Sequence, residues 1–412
     1  MAVNARPRQR RLFVLPALLA LSFGCDLAGL GLIEAVGPAD GATLAGAEAT
    51  LDVRACGALA RGADVRFFGR RRLPRGDDFT LVALPDTQFY SERLPESFAA
   101  QTRWVVDHRA SMNIPAVIHL GDIVDDAQVE RQWQNADAAI RILDGAPQLA
   151  YGLAVGNHDQ DMRADPQRTM YFNRYFPFTR YEGVADWYGG HFGADNDNHY
   201  ILFSAGGLDF IAIFFEFSPQ RQDEALAWAD GLLKQHSDRR AILVTHFMIA
   251  GGALLSRFSP QGRAIFDALS GNGNVFMLLG GHFCEVGRRV DFVDGRPIYT
   301  MLADFQCRPN AGDGWLRLLE FSPRADQIRV RTYSPTRDEF LGDIRNEFTL
   351  AYEMDPSGPF VEVGRAALDD SGAAAVTWSG LASGAEYEWR AEVDTPLGAA
   401  PTALRTFKVA NE

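Results

Sequence analysis

The middle of the chain repeats one local pattern, in which a short apolar run ends in a polar loop. Clear examples of such runs are residues 81–84, 116–118 and 242–244. Segments such as residues 96–112 lie between the runs and place apolar side chains three and four positions apart, the spacing of an amphipathic helix. Alternating strands and helices over residues 79 to about 345 predict an α/β fold, with a site where strands end in loops.

Five polar motifs follow apolar runs of this kind, and together they offer carboxylate, amide and imidazole groups. These groups are ligands that divalent and trivalent metal ions take in proteins. A carboxylate between two ions, such as that of Asp122, can hold them about 3.5–4 Å apart for phosphoryl transfer. The motifs are Asp86-Thr87-Gln88, Gly121-Asp122-Ile123-Val124-Asp125, Gly156-Asn157-His158-Asp159, Thr245-His246 and Gly281-His282-Phe283-Cys284.

In this order the five motifs resemble those of the calcineurin-like metallophosphoesterases. A lone Asp or His after a strand is more often a cap or loop residue, but five in the family's order favour metal binding. Further along, residues 302–306, 308–310 and 313–317 resemble a bacterial secreted branch of the family. The resemblance covers residues 78–346 and implies a two-sheet α/β sandwich of four layers, with metal ions at the strand ends.

The resemblance also assigns the metal ligands position by position. Asp86 would bind the first metal ion, and Asp122 would bridge the first and second ions. Asn157, His246 and His282 would complete the coordination of the second ion. The implied cofactors are two divalent or trivalent ions, of manganese, iron or zinc.

Two positions depart from the family's pattern, and both belong to the first ion. Gln88 stands where the family usually has a histidine, and Cys284 stands where it has the last histidine of a Gly-His-x-His motif. Glutamine offers a carbonyl oxygen and cysteine a thiolate, so both remain predicted ligands, with the thiolate favouring zinc. Two other interpretations of Cys284 stay open: a disulfide with Cys307, or an unengaged thiol.

His158 and Asp159 are the predicted catalytic residues. The resemblance implies that His158 faces the substrate, where it stabilises the phosphoryl oxygens or protonates the leaving oxygen, and that Asp159 sets its pKa and orientation. The implied reaction is hydrolysis of a phosphate monoester or diester by attack of metal-bound hydroxide on phosphorus. Because of Gln88 and Cys284, the alternative is a surface adhesion or glycan-binding module with a degenerate phosphoesterase fold.

The amino terminus resembles an export signal. Several arginines precede an uncharged, mostly apolar stretch at residues 12–23, which is too short for a membrane span. The Gly24-Cys25 pair resembles a bacterial lipoprotein signal, in which Cys25 becomes the lipidated first residue; ordinary cleavage nearby is the alternative. We expect residues 1–24 to be removed, and the protein to act in the periplasm or at the cell surface, held to a membrane by lipid.

The segments on either side of the α/β region have the pattern of β-structure. Residues 31–74 contain two or three short strand-like runs, and residues 355–412 contain runs that include a period-two alternation from Tyr387. The second segment resembles the second half of a fibronectin type III or immunoglobulin-like domain, and the first segment resembles the first half. We expect a small all-β sandwich split around the catalytic domain; two separate β appendages are the alternative.

The charge balance bears on the partners. The chain has 40 basic and 53 acidic side chains, for a formal net charge of -13. Nucleic-acid binding needs clustered cations, so this balance argues against a nucleic-acid partner. Removal of residues 1–24 takes away arginines and no acid, which makes the chain more negative still. A phosphate-ester substrate is compatible with this charge, because two bound cations would supply local positive charge. No feature predicts an oligomeric state.

Overall fold

The structure is a computed structural model. The predicted export signal, residues 1–24, lies outside the residues that it describes, as do Cys25 and Cys56. Within the described part of the chain, no helix is both long enough and apolar enough to cross a membrane. The described residues are 33–55, 63–164, 167–218, 220, 222–251, 256–395 and 398–411.

Strands outnumber helices among the described residues. The strands, in chain order, are β1 (Ile33–Gly37), β2 (Ala42–Leu44), β3 (Glu48–Ala55), β4 (Asp64–Arg72), β5 (Phe79–Leu84), β6 (Ala116–His119), β7 (Ala150–Leu153), β8 (Tyr188–His191), β9 (His199–Ala205), β10 (Leu208–Phe215), β11 (Arg240–Thr245), β12 (Ile249–Ala250), β13 (Arg257–Phe258), β14 (Val275–Gly280), β15 (Val286–Val293), β16 (Arg296–Ala303), β17 (Leu316–Ser322), β18 (Gln327–Ser334), β19 (Glu339–Phe340), β20 (Phe348–Ala351), β21 (Val361–Ala367), β22 (Ala373–Ser379), β23 (Glu386–Thr395), β24 (Gly398–Pro401) and β25 (Arg405–Val409). The helices are α1 (Gln88–Arg93), α2 (Pro95–His108), α3 (Glu130–Asp144), α4 (Met170–Tyr175), α5 (Asp223–Gln235), α6 (Pro260–Leu269) and α7 (Pro309–Gly312).

Residues 75–355 form one compact unit built on two sheets. One sheet has the strand order β15-β16-β14-β11-β10-β9-β8, and the other has the order β19-β18-β17-β5-β6-β7, with β20 paired to β18. Strands β10, β11, β14 and β16 run parallel in the first sheet, and β5, β6 and β7 run parallel in the second. Parallel strands covered on both faces are apolar along their length, and β5, β6, β7 and β14 are buried at every residue.

Aromatic side chains fill the space between the two sheets. Phe79 stacks on Phe321 in its own sheet, with ring centroids 4.6 Å apart, and meets Phe210 of the other sheet edge-on at 5.6 Å. Helices α2 and α3 pack on the outer face of β5, β6 and β7, and helices α5 and α6 pack on the outer face of β10, β11 and β14. The layers are helix, sheet, sheet, helix, which confirms the predicted two-sheet α/β sandwich of four layers.

The described residues up to 74 and from 356 onward form a second unit, which is all β. One sheet has the order β1-β3-β22, and the other has the order β2-β25-β23-β4-β21, with β24 paired to β23. Strands from the two ends of the chain are therefore hydrogen-bonded neighbours: β3 pairs with β22, β4 with β21 and β23, and β2 with β25. Leu51, Phe67, Trp389 and Phe407 are almost completely buried in a core shared by both chain segments.

Candidate metal centre

The predicted metal ligands meet where parallel strands end. Asp86 follows β5, Asp122 follows β6 and Asn157 follows β7, whereas His246 follows β11 and His282 follows β14 of the other sheet. Parallel strands of a sheet have their carboxyl ends at a common edge, which is where α/β folds build their sites. Contacts of 3.0 Å between Asp122 and His246 and of 3.1 Å between Asp86 and His282 join the edges of the two sheets.

Asp122, His246 and His282 converge on one point. Each offers a ligand atom, and these atoms lie within 4.8 Å of one another. His246 Nε2 lies 3.0 Å from Asp122 Oδ2 and 3.2 Å from His282 Nδ1. The other ring nitrogen, His246 Nδ1, is 2.9 Å from the carbonyl oxygen of Leu120, which can only accept, so Nδ1 donates. In the neutral ring, Nε2 thus carries a lone pair aimed at a carboxylate oxygen and a second imidazole, an arrangement that suits a cation.

The two imidazoles respond differently to this environment. Burial acts to lower the pKa of His246, but the Asp122 carboxylate, the Leu120 carbonyl oxygen and the Asp159 carboxylate together outweigh burial, and the pKa of His246 is raised. Burial, and then the neighbouring His246, lowers the pKa of His282 to about 4. His282 is therefore neutral near pH 7, which is the form in which imidazole binds metal ions.

The backbone at this point is held in conformations that cost free energy. Asp122 has φ 50° and His282 has φ 80°, both in the left-handed region that non-glycine residues rarely enter. Each such residue costs on the order of 1–3 kcal/mol and persists when its surroundings fix it. At Asp122 a hydrogen bond helps to fix the conformation: the backbone N–H of His158 donates to Asp122 Oδ1 over 3.0 Å.

Two motif glycines make room for the carboxylates. A Cβ atom at Gly156 would lie 2.1 Å from Asp122 Oδ1, and a Cβ atom at Gly281 would lie 2.1 Å from Asp86 Oδ1. No side chain fits at either position without moving a predicted ligand. The close approach of these backbones explains why the motifs read Gly-Asn-His-Asp and Gly-His.

The other predicted ligands, Asp86, Gln88 and Asn157, place buried oxygens in the site, and the two amide oxygens lack a partner. Asp86 is 2% exposed, and its Oδ2 accepts the backbone N–H of His282 at 3.1 Å. Burial, and then the nearby Asp304 and Asp122, raises the pKa of Asp86 well above its usual value. Gln88 Oε1 and Asn157 Oδ1 are buried, and no described residue donates to either.

Orphaned buried oxygens are costly unless something compensates them. Carboxylate oxygen, amide oxygen and imidazole nitrogen are all ligand atoms that divalent and trivalent metal ions bind. The residues present therefore fit the metal ions that the sequence motifs imply.

Comparison with known proteins identifies the family. A family model described as Calcineurin-like phosphoesterase matches residues 79–285, which is half of the chain. The chain belongs to the calcineurin-like phosphoesterase family. An uncharacterised protein of Bacillus subtilis (strain 168), YvnB, is 37% identical over 298 residues, which is 69% of this chain and 22% of that protein. This phosphoesterase chain thus spans about a fifth of the length of that curated relative.

Two solved structures are similar to this phosphoesterase. The purple acid phosphatase PPD1 of yellow lupin (Lupinus luteus) seeds aligns with a TM-score of 0.47 and 10% identity, over 79% of this chain and 75% of that one. A conserved uncharacterised protein of Streptococcus pneumoniae TIGR4, described as a predicted phosphoesterase, aligns with a TM-score of 0.28 and 11% identity, over 66% of this chain and 98% of that one.

The predicted catalytic pair of the phosphoesterase does not interact as expected. His158 Nδ1 lies 2.7 Å from the carbonyl oxygen of Asp125 and 3.6 Å from its carboxylate. Asp159 is completely buried and accepts the backbone N–H groups of Ile123, Val124 and Gly156 over 2.8–3.0 Å.

This arrangement corrects the expected role of Asp159. Its carboxylate braces the two loops that carry Asp122 and Asn157, and Asp125 orients His158 instead. Burial, and then the Asp122 carboxylate, raises the pKa of Asp159 to about 7.

Cys284 is not a metal ligand in this structure, which corrects that prediction. Its sulfur is bonded to Cys307, with Cα atoms 5.5 Å apart. A sulfur atom in a disulfide has no thiolate to offer a metal ion. Of the three interpretations that the sequence left open, the disulfide is the one found.

Two further polar residues, Asp304 and Gln306, reach the centre. The resemblance of the motifs did not assign a role to either. Asp304 and Gln306 follow β16, and Gln306 Nε2 donates to Asp86 Oδ2 over 3.3 Å and to Asp304 Oδ2 over 3.0 Å. The signal for them was present in the sequence, because Asp304 directly follows an apolar run, as Asp86 and Asp122 follow theirs.

Proposed function

We propose that this protein hydrolyses phosphate esters with two bound metal ions. The observation that carries the proposal is the convergence of Asp122, His246 and His282 on one point, together with the orphaned amide oxygen of Asn157. Membership of the calcineurin-like phosphoesterase family supplies the class of reaction. Phosphate monoesters and diesters both fit, because the site residues act on the phosphoryl group that the two classes share.

The charge of the site explains why metal ions are needed. A phosphate ester is an anion, and the buried side chains here include the carboxylates of Asp86, Asp122 and Asp159. Burial acts to raise the pKa of Asp122, but His246 and His158 outweigh burial and lower it, so Asp122 is ionised and would repel the substrate without cations. Bound metal ions would hold the phosphoryl oxygens and lower the pKa of a coordinated water towards neutrality.

His158 is placed to move a proton during the reaction. Because its Nδ1 donates to the carbonyl oxygen of Asp125, Nε2 is the ring nitrogen that gains and loses a proton. The side chain is 40% exposed, and the backbone N–H of the same residue contacts Asp122, so His158 lies at the predicted metal site and is accessible to a substrate. When protonated, Nε2 donates its proton to the leaving oxygen as a general acid.

The test is turnover of aryl phosphate monoesters and diesters by the purified full chain, supplied with Mn²⁺, Zn²⁺ or Fe²⁺. A chelator should abolish turnover, and added metal should restore it. His158→Ala should lower turnover by about 10²–10⁴-fold with metal content unchanged. His236→Ala, at the C-terminal end of α5, is the matched control and should keep wild-type turnover.

A specific outcome would contradict the proposal. No turnover with any of the metals, together with fewer than two ions per chain by elemental analysis, would favour the binding-module alternative. Loss of metal from His158→Ala would show instead that His158 is a ligand rather than a proton donor.

We also propose that the protein works outside the cytoplasm, anchored through Cys25. The support is the basic, then apolar, then Gly24-Cys25 order of the first 25 residues, together with flanking segments whose sequence resembles a fibronectin type III domain. Mass spectrometry of the amino-terminal peptide from a bacterial host should find Cys25 lipidated and residues 1–24 removed. An unmodified peptide that begins elsewhere would refute the lipid anchor, and Cys25→Ser is the matched control.

A further inference from the structure

The first metal site lacks the nitrogen ligands that the second site has. Gln88 occupies one of the two positions where the family has histidine, and Cys284 occupies the other but is consumed by its disulfide with Cys307. Of the predicted ligands this leaves Asp86, Asp122 and Gln88, all of which offer oxygen. Three such side chains are few for an ion that takes six or more oxygen ligands, with water making up the rest.

Two side chains from the end of β16 lie against this site. Asp304 is 2% exposed and Gln306 is 8% exposed, so both are buried. The Gln306 amide nitrogen donates to Asp86 Oδ2 over 3.3 Å and to Asp304 Oδ2 over 3.0 Å, which places the amide between the two carboxylates. The Gln306 backbone N–H also donates to Asp304 Oδ1 over 2.9 Å.

The oxygen of the same amide has no partner. Gln306 Oε1 is buried and accepts no hydrogen bond from any described residue, as is also true of Gln88 Oε1. A buried amide oxygen without a donor costs about 1–3 kcal/mol. The Gln306 oxygen belongs to an amide that touches the Asp86 and Asp304 carboxylates, and Gln88 lies two residues after Asp86, so one cation bound here would compensate both oxygens.

The charge of the cluster leads to the same conclusion. Asp86, Asp122 and Asp304 are each 2% exposed. The hydrogen bonds found at Asp86 and Asp304 come from amide N–H groups, and no described arginine or lysine forms an ion pair with either residue. Buried carboxylates without a cationic partner are strongly unfavourable. A bound divalent cation would compensate them.

We propose that Asp304 and Gln306 complete the first metal site, which is therefore built from oxygen ligands alone. The inference rests on the proposed two-metal function and names ligands beyond the five motifs. Oxygen ligands favour hard cations such as Mg²⁺ and Mn²⁺, whereas imidazole suits Zn²⁺. The two sites therefore differ in preference: the first selects Mg²⁺ or Mn²⁺, and the second, with His246 and His282, selects Zn²⁺.

The disulfide has a part in this arrangement. Cys307 directly follows Gln306, and Cys284 lies in the loop that carries His282. The bond therefore ties the segment that supplies Gln306 to the loop that supplies a ligand of the second site. In this chain the two cysteines hold an oxygen ligand in place where the family's motif would supply a histidine.

The first test is mixed-metal occupancy of the full chain. Protein stripped with a chelator is dialysed against Zn²⁺ sufficient to fill both sites together with excess Mg²⁺, and its metal content is measured by elemental analysis. The expected result is about one Zn²⁺ and about one Mg²⁺ per chain. Two Zn²⁺ with no retained Mg²⁺ would overturn the all-oxygen assignment.

Two variants of Gln306 test its role directly. Gln306→Leu should lower the Mg²⁺ content at least fivefold and leave the Zn²⁺ content unchanged. Gln306→Glu adds a carboxylate to the cluster, so its melting temperature should fall without metal, and its stabilisation by Mg²⁺ should exceed that of the wild type. Gln261→Glu is the matched control: this buried glutamine donates to the Glu216 carbonyl oxygen, and its loss of stability should not depend on Mg²⁺.

The outcomes separate this inference from the proposed function. If both Gln306 variants keep wild-type Mg²⁺ content and the same metal-dependent stabilisation, Gln306 is not a ligand. Phosphoesterase turnover of the wild type, measured on the same samples, would then leave the proposed function standing. If the wild type binds neither ion and has no turnover, the proposed function fails as well.

Discussion

Gly156→Ala is expected to disrupt metal binding although it adds a single methyl group. A Cβ atom at this position would lie 2.1 Å from Asp122 Oδ1 and 2.3 Å from the Asp122 backbone nitrogen, whereas ordinary contacts of this kind begin at 3.4 Å. The Asp122 carboxylate or its loop must therefore move by about 1 Å, several times the roughly 0.2 Å tolerance of metal–ligand distances. Overpacking of this kind also costs about 1–3 kcal/mol of stability.

The assay has two readouts, metal content by elemental analysis and the urea unfolding midpoint of chelator-treated protein. Gly156→Ala should lose metal ions and unfold at lower urea concentration than the wild type. Gly231→Ala is the matched control, because a Cβ at this helical position meets nothing within 4 Å. There alanine should be neutral or stabilising by up to about 1 kcal/mol. Wild-type metal content in Gly156→Ala would refute the close approach on which the argument rests.

Two further predictions concern stability. Replacing both Cys284 and Cys307 with serine should lower the free energy of unfolding by about 3 kcal/mol, because the disulfide closes a loop of 23 residues. Thiol counting in denaturant should find two more thiols in the wild type after reduction than before it. No increase in the thiol count would refute the disulfide. Burial, and then Asp195, raises the pKa of Asp197 to about 7, so its stabilising contribution is present at low pH and is lost as pH rises towards 7. Between pH 5 and pH 8 the wild type should therefore lose about 2–3 kcal/mol relative to Asp197→Asn in urea unfolding experiments, and equal pH dependence would contradict the shift.

The fold class and the family could be predicted because both depend on local patterns. Apolar runs that end in polar loops are visible in the sequence, and the rule that parallel strands carry sites at their carboxyl ends placed Asp86, Asp122, His246 and His282 together. The strand pairing between the two ends of the chain was one of two open interpretations. A local sequence pattern does not predict which strand, distant in the chain, pairs with a given strand in a sheet.

The sequence could not predict which polar groups form hydrogen bonds with one another. Asp159 adjoins His158 in the chain, yet its carboxylate accepts backbone N–H groups from two loops, and the contact to His158 comes from Asp125. Gln306 is far from Asp86 in the sequence and reaches it only because β16 ends beside the same site. Hydrogen-bond partners across sheets depend on the tertiary fold rather than on residue spacing.

The central claim is that a two-metal centre lies between Asp122, His246, His282 and the carboxylates after β5 and β16. Anomalous diffraction at the manganese edge tests it most directly, with crystals of the chelator-treated full chain soaked in excess Mn²⁺ and phosphate without Zn²⁺, so that manganese can fill both sites. We predict two peaks that share Asp122, one at His246 and His282 and the other at Asp86, with phosphate bound against both. Absence of a peak at Asp122, or manganese bound only elsewhere on the protein, would contradict the account.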